Sequence, residues 1–198
     1  CAAYLARAGH RVTVLERMEQ VGGMAATREF APGYKASLAH LSWLLDADIT
    51  QELQLAENGL EMAAGSLATV ALALDGNHLV IGPDGAEGAG LADQEQAAFR
   101  AWRKRMGSFA GVIGSLHNEI PPRIRQTRAD LLALGRLALR VRRMGRDDMR
   151  EFLRIAGINI HDVLEEHFEH PLLKGALALD AVMGAFSGPR SNNTVFTL

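Results

Sequence analysis

The spacing of apolar side chains changes along this chain, and each spacing predicts its own element. CAAYLARAG at the N-terminus reads as a helix closed by Gly9, because glycine takes the left-handed conformation that ends helices. After a turn, Arg11 to Leu15 predicts a strand that ends at the carboxylate of Glu16. A loop with a short helix carries Gly22 to Thr27, and Asp46 to Leu55 predicts another short helix, stopped by Asn58-Gly59. The apolar runs Leu67 to Leu74 and His78 to Ile81 flank Asp75-Gly76-Asn77, which predicts a hairpin.

Further on the period lengthens to that of a helix. Phe99, Trp102, Met106, Phe109, Ile113 and Leu116 recur every three or four residues, so Ala92 to Leu116 predicts a long amphipathic helix with Asp93 as its N-cap, ended by Pro121-Pro122. Its Met and aromatic stripe fits a face packed on a core better than the wall of a substrate channel. Ala129 to Met144 predicts a second helix, with Arg136, Arg140 and Arg143 on one face and Leu131, Leu132, Leu134, Leu137 and Leu139 supplying the apolar side. Arg150 to Leu153, His161 to His170 and Leu172 to Met183 complete a helical region, and Asn193 to Leu198 reads as an apolar run that stops within a strand.

Composition narrows the class. With 198 residues, 48% of them hydrophobic and 22% charged, and a formal charge of -2, the chain reads as soluble and globular, with enough length for one good core or two small ones. No apolar stretch is long enough to predict a spanning helix. The lone Cys1 excludes an internal disulfide and fits a reducing compartment, and the expected setting is cytoplasmic or, through the basic region that follows, peripheral to a membrane. Basic residues outnumber acidic ones between Arg100 and Arg154, and a basic amphipathic helix suits peripheral membrane contact as well as a solvated face. No aromatics interleave these cations, which argues against nucleic acid.

Three groups are candidates for chemistry. Glu16 closes the strand predicted over Arg11 to Leu15, and the pair Gly22-Gly23 follows six residues later. In a dinucleotide-binding βαβ unit an acidic side chain at a strand end takes the ribose hydroxyls, and glycines admit phosphate close to the backbone. The glycine-rich stretch Gly82 to Gly90 lacks a following Lys-Ser/Thr and reads as a surface loop, not a phosphate loop. Glu165, Glu166, His167 and His170 have metal-like spacing, but no third ligand set accompanies them and no metal is expected.

The strand, Glu16, the paired glycines and Thr27 together resemble the second nucleotide-contact motif of two-dinucleotide-binding-domain flavoproteins, the amine oxidases and phytoene desaturases. The continuation Ala31-Pro32-Gly33-Tyr34-Lys35 is similar to the phytoene desaturase-like branch, and within it to the group named pyridine nucleotide-disulphide oxidoreductase domain-containing protein 2. The resemblance implies an α/β fold: a partial Rossmann-like FAD-binding domain over residues 1 to about 60, followed by a hairpin and a mostly helical substrate or cap domain over 61 to 198. It also implies that the sequence is an internal fragment, with the first strand and its G-x-G-x-x-G before Cys1.

The function implied is an FAD-dependent oxidoreductase that moves hydride from an apolar substrate to flavin. Glu16 would hold the adenosine ribose, Gly22 and Gly23 would admit the diphosphate and ribityl part, and Met24 and Ala25 would come near the flavin. Many relatives carry a basic residue where this chain has Met18 or Met24. The charge facing the diphosphate then comes from Arg17, from backbone amides or from chain outside this sequence. His40 aligns with the turn that lines the flavin ring, but a lone histidine among apolar residues reads as a core residue and stays outside the catalytic set. The alternative is a non-catalytic binding or escort protein on the same scaffold, since fold does not fix function.

Overall fold

The computed structural model describes residues 1–37, 45–62, 67–117, 127–183 and 186–197. His40 and Pro121-Pro122 lie outside them. The chain divides into two compact units, Cys1–Gly65 and Ser66–Leu198, and it is mixed α/β with helices predominating.

The first unit opens with α1 (Ala2–Arg7). The segment expected to be a strand, Arg11 to Leu15, has no regular structure, with Val14 67% and Leu15 92% exposed. A strand exists only by hydrogen bonding to a neighbour, and no described strand lies alongside this one. The strands that do form are β1 (Arg28–Ala31) and β2 (Tyr34–Ala36), an antiparallel pair turned at Pro32-Gly33, with Gly33 at φ 79°. α2 (Ala47–Glu52) is capped by Asp46, whose carboxylate accepts from the amides of Asp48 at 2.8 Å and Ile49 at 3.2 Å. Tyr4 donates to the Glu52 carboxylate at 2.5 Å and Arg7 donates to the Glu52 carbonyl, which ties α1 to α2. None of the described residues in this unit is buried.

The second unit is built differently. β3 (Thr69–Ala71), β4 (Leu79–Ile81) and β5 (Ala86–Gly88) form an antiparallel sheet in that order. The predicted hairpin is therefore present with a shorter first strand, and its turn is closed by Asn77 donating to Asp75 and Ala73 donating to His78. β5 falls inside the stretch read as a surface loop. Ala-Glu-Gly shows no apolar alternation, and pairing with β4 makes it a strand. Gly88 is required there: at φ 91° an added Cβ would stand 2.4 Å from the His78 carbonyl oxygen.

Helices cover this sheet. α3 (Asp93–His117) follows the long periodic stretch and buries Phe99, Trp102, Phe109 and Val112 on one side. The stripe is core: Trp102 meets Phe168 edge-on at 5.6 Å and stacks near Phe99 at 6.3 Å. α4 (Arg128–Arg143) starts with a capping box, Thr127 and Asp130 each satisfying the other's backbone amide. α5 (Arg146–Ile155), α6 (Ile160–His167) and α7 (Pro171–Val182) complete the unit. The C-terminal apolar run forms a tight helical turn at Thr194–Thr197 instead of a strand. Val195 enters the core and the Thr194 hydroxyl accepts from the first amide of α6 at 2.9 Å. Ile160, Val163, Leu164, Leu173 and Ala181 are all at most 1% exposed, so the core sits where α6 and α7 meet α3 and the sheet.

Candidate functional site

In the first unit, the chain from Glu16 to Lys35 doubles back on itself. The Glu16 carboxylate accepts from the Met18 amide at 2.8 Å, which turns the chain directly after the unpaired segment. Gly22 and Gly23 then take φ values of 116° and 56°, the region that L side chains seldom occupy. Gly22 opens a single tight turn, Gly23–Ala25, in which the Ala25 amide donates to the Gly22 carbonyl at 3.0 Å. The two glycines differ in surroundings. A Cβ on Gly22 would press on the Ala26 Cβ at 3.3 Å, whereas a Cβ on Gly23 would enter open space. Space at the backbone of Gly23 is what a close-approaching ligand needs.

β1 and β2 carry the other side of the site. Their register pairs Glu29 with Lys35, a bulge lies between Glu29 and Ala31, and the Glu29 carboxylate accepts from the Gly33 amide at 3.1 Å. A surface hollow of about 800 Å³ lies between this hairpin and the turn after Glu16. Arg17, Arg28 and Lys35 line it against Glu19 and Glu29, with Met18 and Thr27 between them. Three cations facing two carboxylates leave the hollow with a positive excess, which suits a phosphate-bearing ligand.

Of the residues singled out from the sequence, Arg17 lines the hollow; Glu16, Gly22, Gly23, Met24 and Ala25 shape the adjoining turn and are not among its lining residues. Arg28 and Lys35 escaped the sequence reading. The signal available for them was a cation at each end of the short hairpin around Pro32-Gly33. Met24 is 69% and Met18 44% exposed, so neither is engaged in packing. An anionic dinucleotide fits this set of residues, with glycine backbone open at one side and cations at the other.

The metal-like group in the second unit is taken up by its own helices. Glu165 accepts from Lys174 at 2.7 Å, and Glu166 and Glu151 share the guanidinium of Arg154 at 2.7 Å each. The His167 ring meets the Val163 carbonyl at 2.8 Å and the His170 ring meets that of Ala89 at 2.9 Å. Arg154 beside Glu151 holds that carboxyl below its usual range, and Lys174 does the same for Glu165. The Glu165, Glu166, His167 and His170 side chains serve to tie α5, α6, α7 and the sheet loop together.

Residues 1–51 match the NAD(P)-binding Rossmann-like domain family. Over its whole length the chain is 30% identical to pyridine nucleotide-disulfide oxidoreductase domain-containing protein 2 of Rattus norvegicus and 28% identical to that of Mus musculus, spanning 37% of either protein. An uncharacterized protein of Mycobacterium tuberculosis is 29% identical over 94% of the chain and 35% of its own length. No solved structure matches the chain. The chain thus opens with a segment that matches the NAD(P)-binding Rossmann-like family, and over its whole length it is similar to part of the pyridine nucleotide-disulfide oxidoreductase domain-containing proteins.

Proposed function

We propose that this chain is the part of an FAD-dependent oxidoreductase that holds the cofactor's adenosine and diphosphate, in an enzyme that takes hydride from an apolar substrate. The observation that carries the reading is the pair Gly22-Gly23, six residues after Glu16, with both glycines at positive φ inside the segment matched to a Rossmann-like family. Bound flavin would supply the redox chemistry, accepting hydride at its ring. Glu16 offers two carboxylate oxygens to the ribose hydroxyls, at the cost of its own bond to the Met18 amide. Gly23 leaves room for phosphate at the backbone, and Arg17, Arg28 and Lys35 offset its charge. The three cations compensate for Met18 and Met24, where many relatives of the resembled type carry a basic residue at one or both positions. Met24 and Ala25, exposed beside the glycines, are the residues nearest the flavin in this reading.

The test is optical and does not need the substrate. The full-length protein, purified under mild conditions, should absorb in the blue as flavoproteins do and bleach with dithionite. Glu16→Ala should weaken FAD binding about tenfold, the loss of charge-assisted bonds to the ribose. A folded, colourless full-length protein that takes up no FAD, or that takes up a nicotinamide nucleotide in its place, sinks the flavin assignment. The colourless, cofactor-free outcome would leave the escort reading standing, whereas uptake of a nicotinamide nucleotide would point to an NAD(P)-dependent oxidoreductase.

A further inference from the structure

We propose that the outward face of α4 is a docking surface for an anionic lipid bilayer, with the helix lying in the plane of the interface. The inference is independent of the flavin reading. Its starting point is a disagreement between the sequence pattern and the fold. The pattern sets arginines and leucines on opposite sides of this helix. In the structure Asp130, Ala133, Leu137, Arg140, Val141 and Met144 are the half-buried positions, and they follow the helical period along the inner side. Leu131, Leu132, Leu134 and Leu139 are 43–62% exposed, and Arg128, Arg136, Arg142 and Arg143 are exposed with them.

The steps from Arg128 to Leu132, Gly135, Leu139 and Arg142 are four, three, four and three residues, so these positions form one outer ridge. Cations stand at both ends of that ridge, Arg136 stands at its side, and leucines occupy its middle. Among the described residues no carboxylate pairs with Arg128, Arg136, Arg142 or Arg143. Elsewhere in this unit cations do find partners, Arg105 with Asp148 and Lys174 with Glu165.

One occupant satisfies both halves of this surface. An acidic peptide would pair the arginines but leave the leucines wet. A second copy of the same face would set arginine against arginine. An anionic bilayer takes leucines into its acyl boundary while arginine stems follow them and guanidinium groups remain with the phosphates. Among the described residues no helix is long and apolar enough to cross a membrane, so α4 would lie on the surface.

The experiment is co-sedimentation of the full chain with vesicles of phosphatidylcholine alone and of equimolar phosphatidylcholine and phosphatidylserine. Binding is expected to the mixed vesicles only and to weaken as salt is raised. The double variant R136E/R143E should bind at least about twentyfold more weakly, roughly fivefold for each charge lost near the surface. Leu132→Ser should bind several-fold more weakly, and Arg190→Glu, on the same unit but away from α4, should bind as wild type. Circular dichroism of each variant should match wild type, because every substituted side chain is exposed or half-buried. Equal binding to neutral vesicles, no binding to either, or unchanged binding of R136E/R143E overturns the proposal. So does a concentration-dependent dimer that Leu132→Ser abolishes in a protein that ignores vesicles, because the leucines would then cover a second copy.

Discussion

The two units of this chain spend their apolar residues in opposite ways. Ser66–Leu198 puts aromatic and branched side chains into one core, in which Leu79, Ile160, Val163, Leu173 and Ala181 are wholly hidden. Cys1–Gly65 leaves Leu15, Phe30 and Tyr34 more than two-thirds exposed and buries none of its described residues. Yet the ligand-type motif is in the unit whose described residues form no core. Its order rests on backbone conformation and on polar ties such as Tyr4 to Glu52, and such ties are weak against water. Hydrophobic burial stabilises the helical unit. A nucleotide bound by Glu16 and the glycines would stabilise the first unit by mass action.

The largest effect that would break this contrast is in amide exchange. Amides in α6 and α7 should exchange more than about a thousandfold more slowly than those of residues 11–27, because only the former are released by unfolding of a core. In full-length protein, FAD should slow exchange across residues 16–27 while leaving α6 unchanged. Comparable protection in both units without ligand would show that the first unit has a core of its own.

Substitution sharpens the point. Leu164→Ala should destabilise the second unit by about 2–5 kcal/mol in urea unfolding, because Leu164 is 1% exposed. Leu15→Ala should change stability by less than about 0.5 kcal/mol. If the two variants cost the same, burial does not separate the units.

Glycines give the next largest difference. Gly88→Ala meets a backbone carbonyl that cannot step aside, so a loss of about 2 kcal/mol or more is expected in the second unit. Gly23→Ala meets open space, and its positive φ should cost about 1 kcal/mol locally, unseen in the main unfolding transition. A Gly88→Ala protein that unfolds like wild type would mean the β4–β5 pairing is not held as observed.

The smallest effects are in pH. Glu151 is held below its usual carboxylate range by Arg154, so its contribution is fully present above the ordinary value of 4.5 and is lost as pH falls through the lowered one. Glu151→Gln should remove less than about 1 kcal/mol near neutral pH and flatten the acid limb of the stability curve. In the first unit the sign reverses. Glu52 raises the Tyr4 phenol above its ordinary 10.0, so that tie is present below this value and is lost as pH rises through the raised one. Tyr4→Phe should free exchange at α1 and α2 without moving the melting of the second unit. A shift in that melting would mean that the units support each other.

Where the sequence was legible, the deciding physics was local. Helix α3 announced itself because Phe99, Trp102, Met106 and Phe109 are three or four residues apart and a helix brings them to one side whatever surrounds it. The Gly22-Gly23 pair was legible for the same kind of reason, since left-handed backbone demands glycine at the position itself. Arg11 to Leu15, Ala86 to Gly88 and the C-terminal turn were misread because strands and burial depend on partners far along the chain. Arg28 and Lys35 joined the hollow only through the β1–β2 register, and the α4 arginines came to share a face with leucines only because Leu137 and Val141 were drawn inward. Spacing and composition by themselves determined which segments coil and where glycine is obligatory; long-range packing, which hides one side of each helix and pairs each strand, decided which side chains those segments leave exposed.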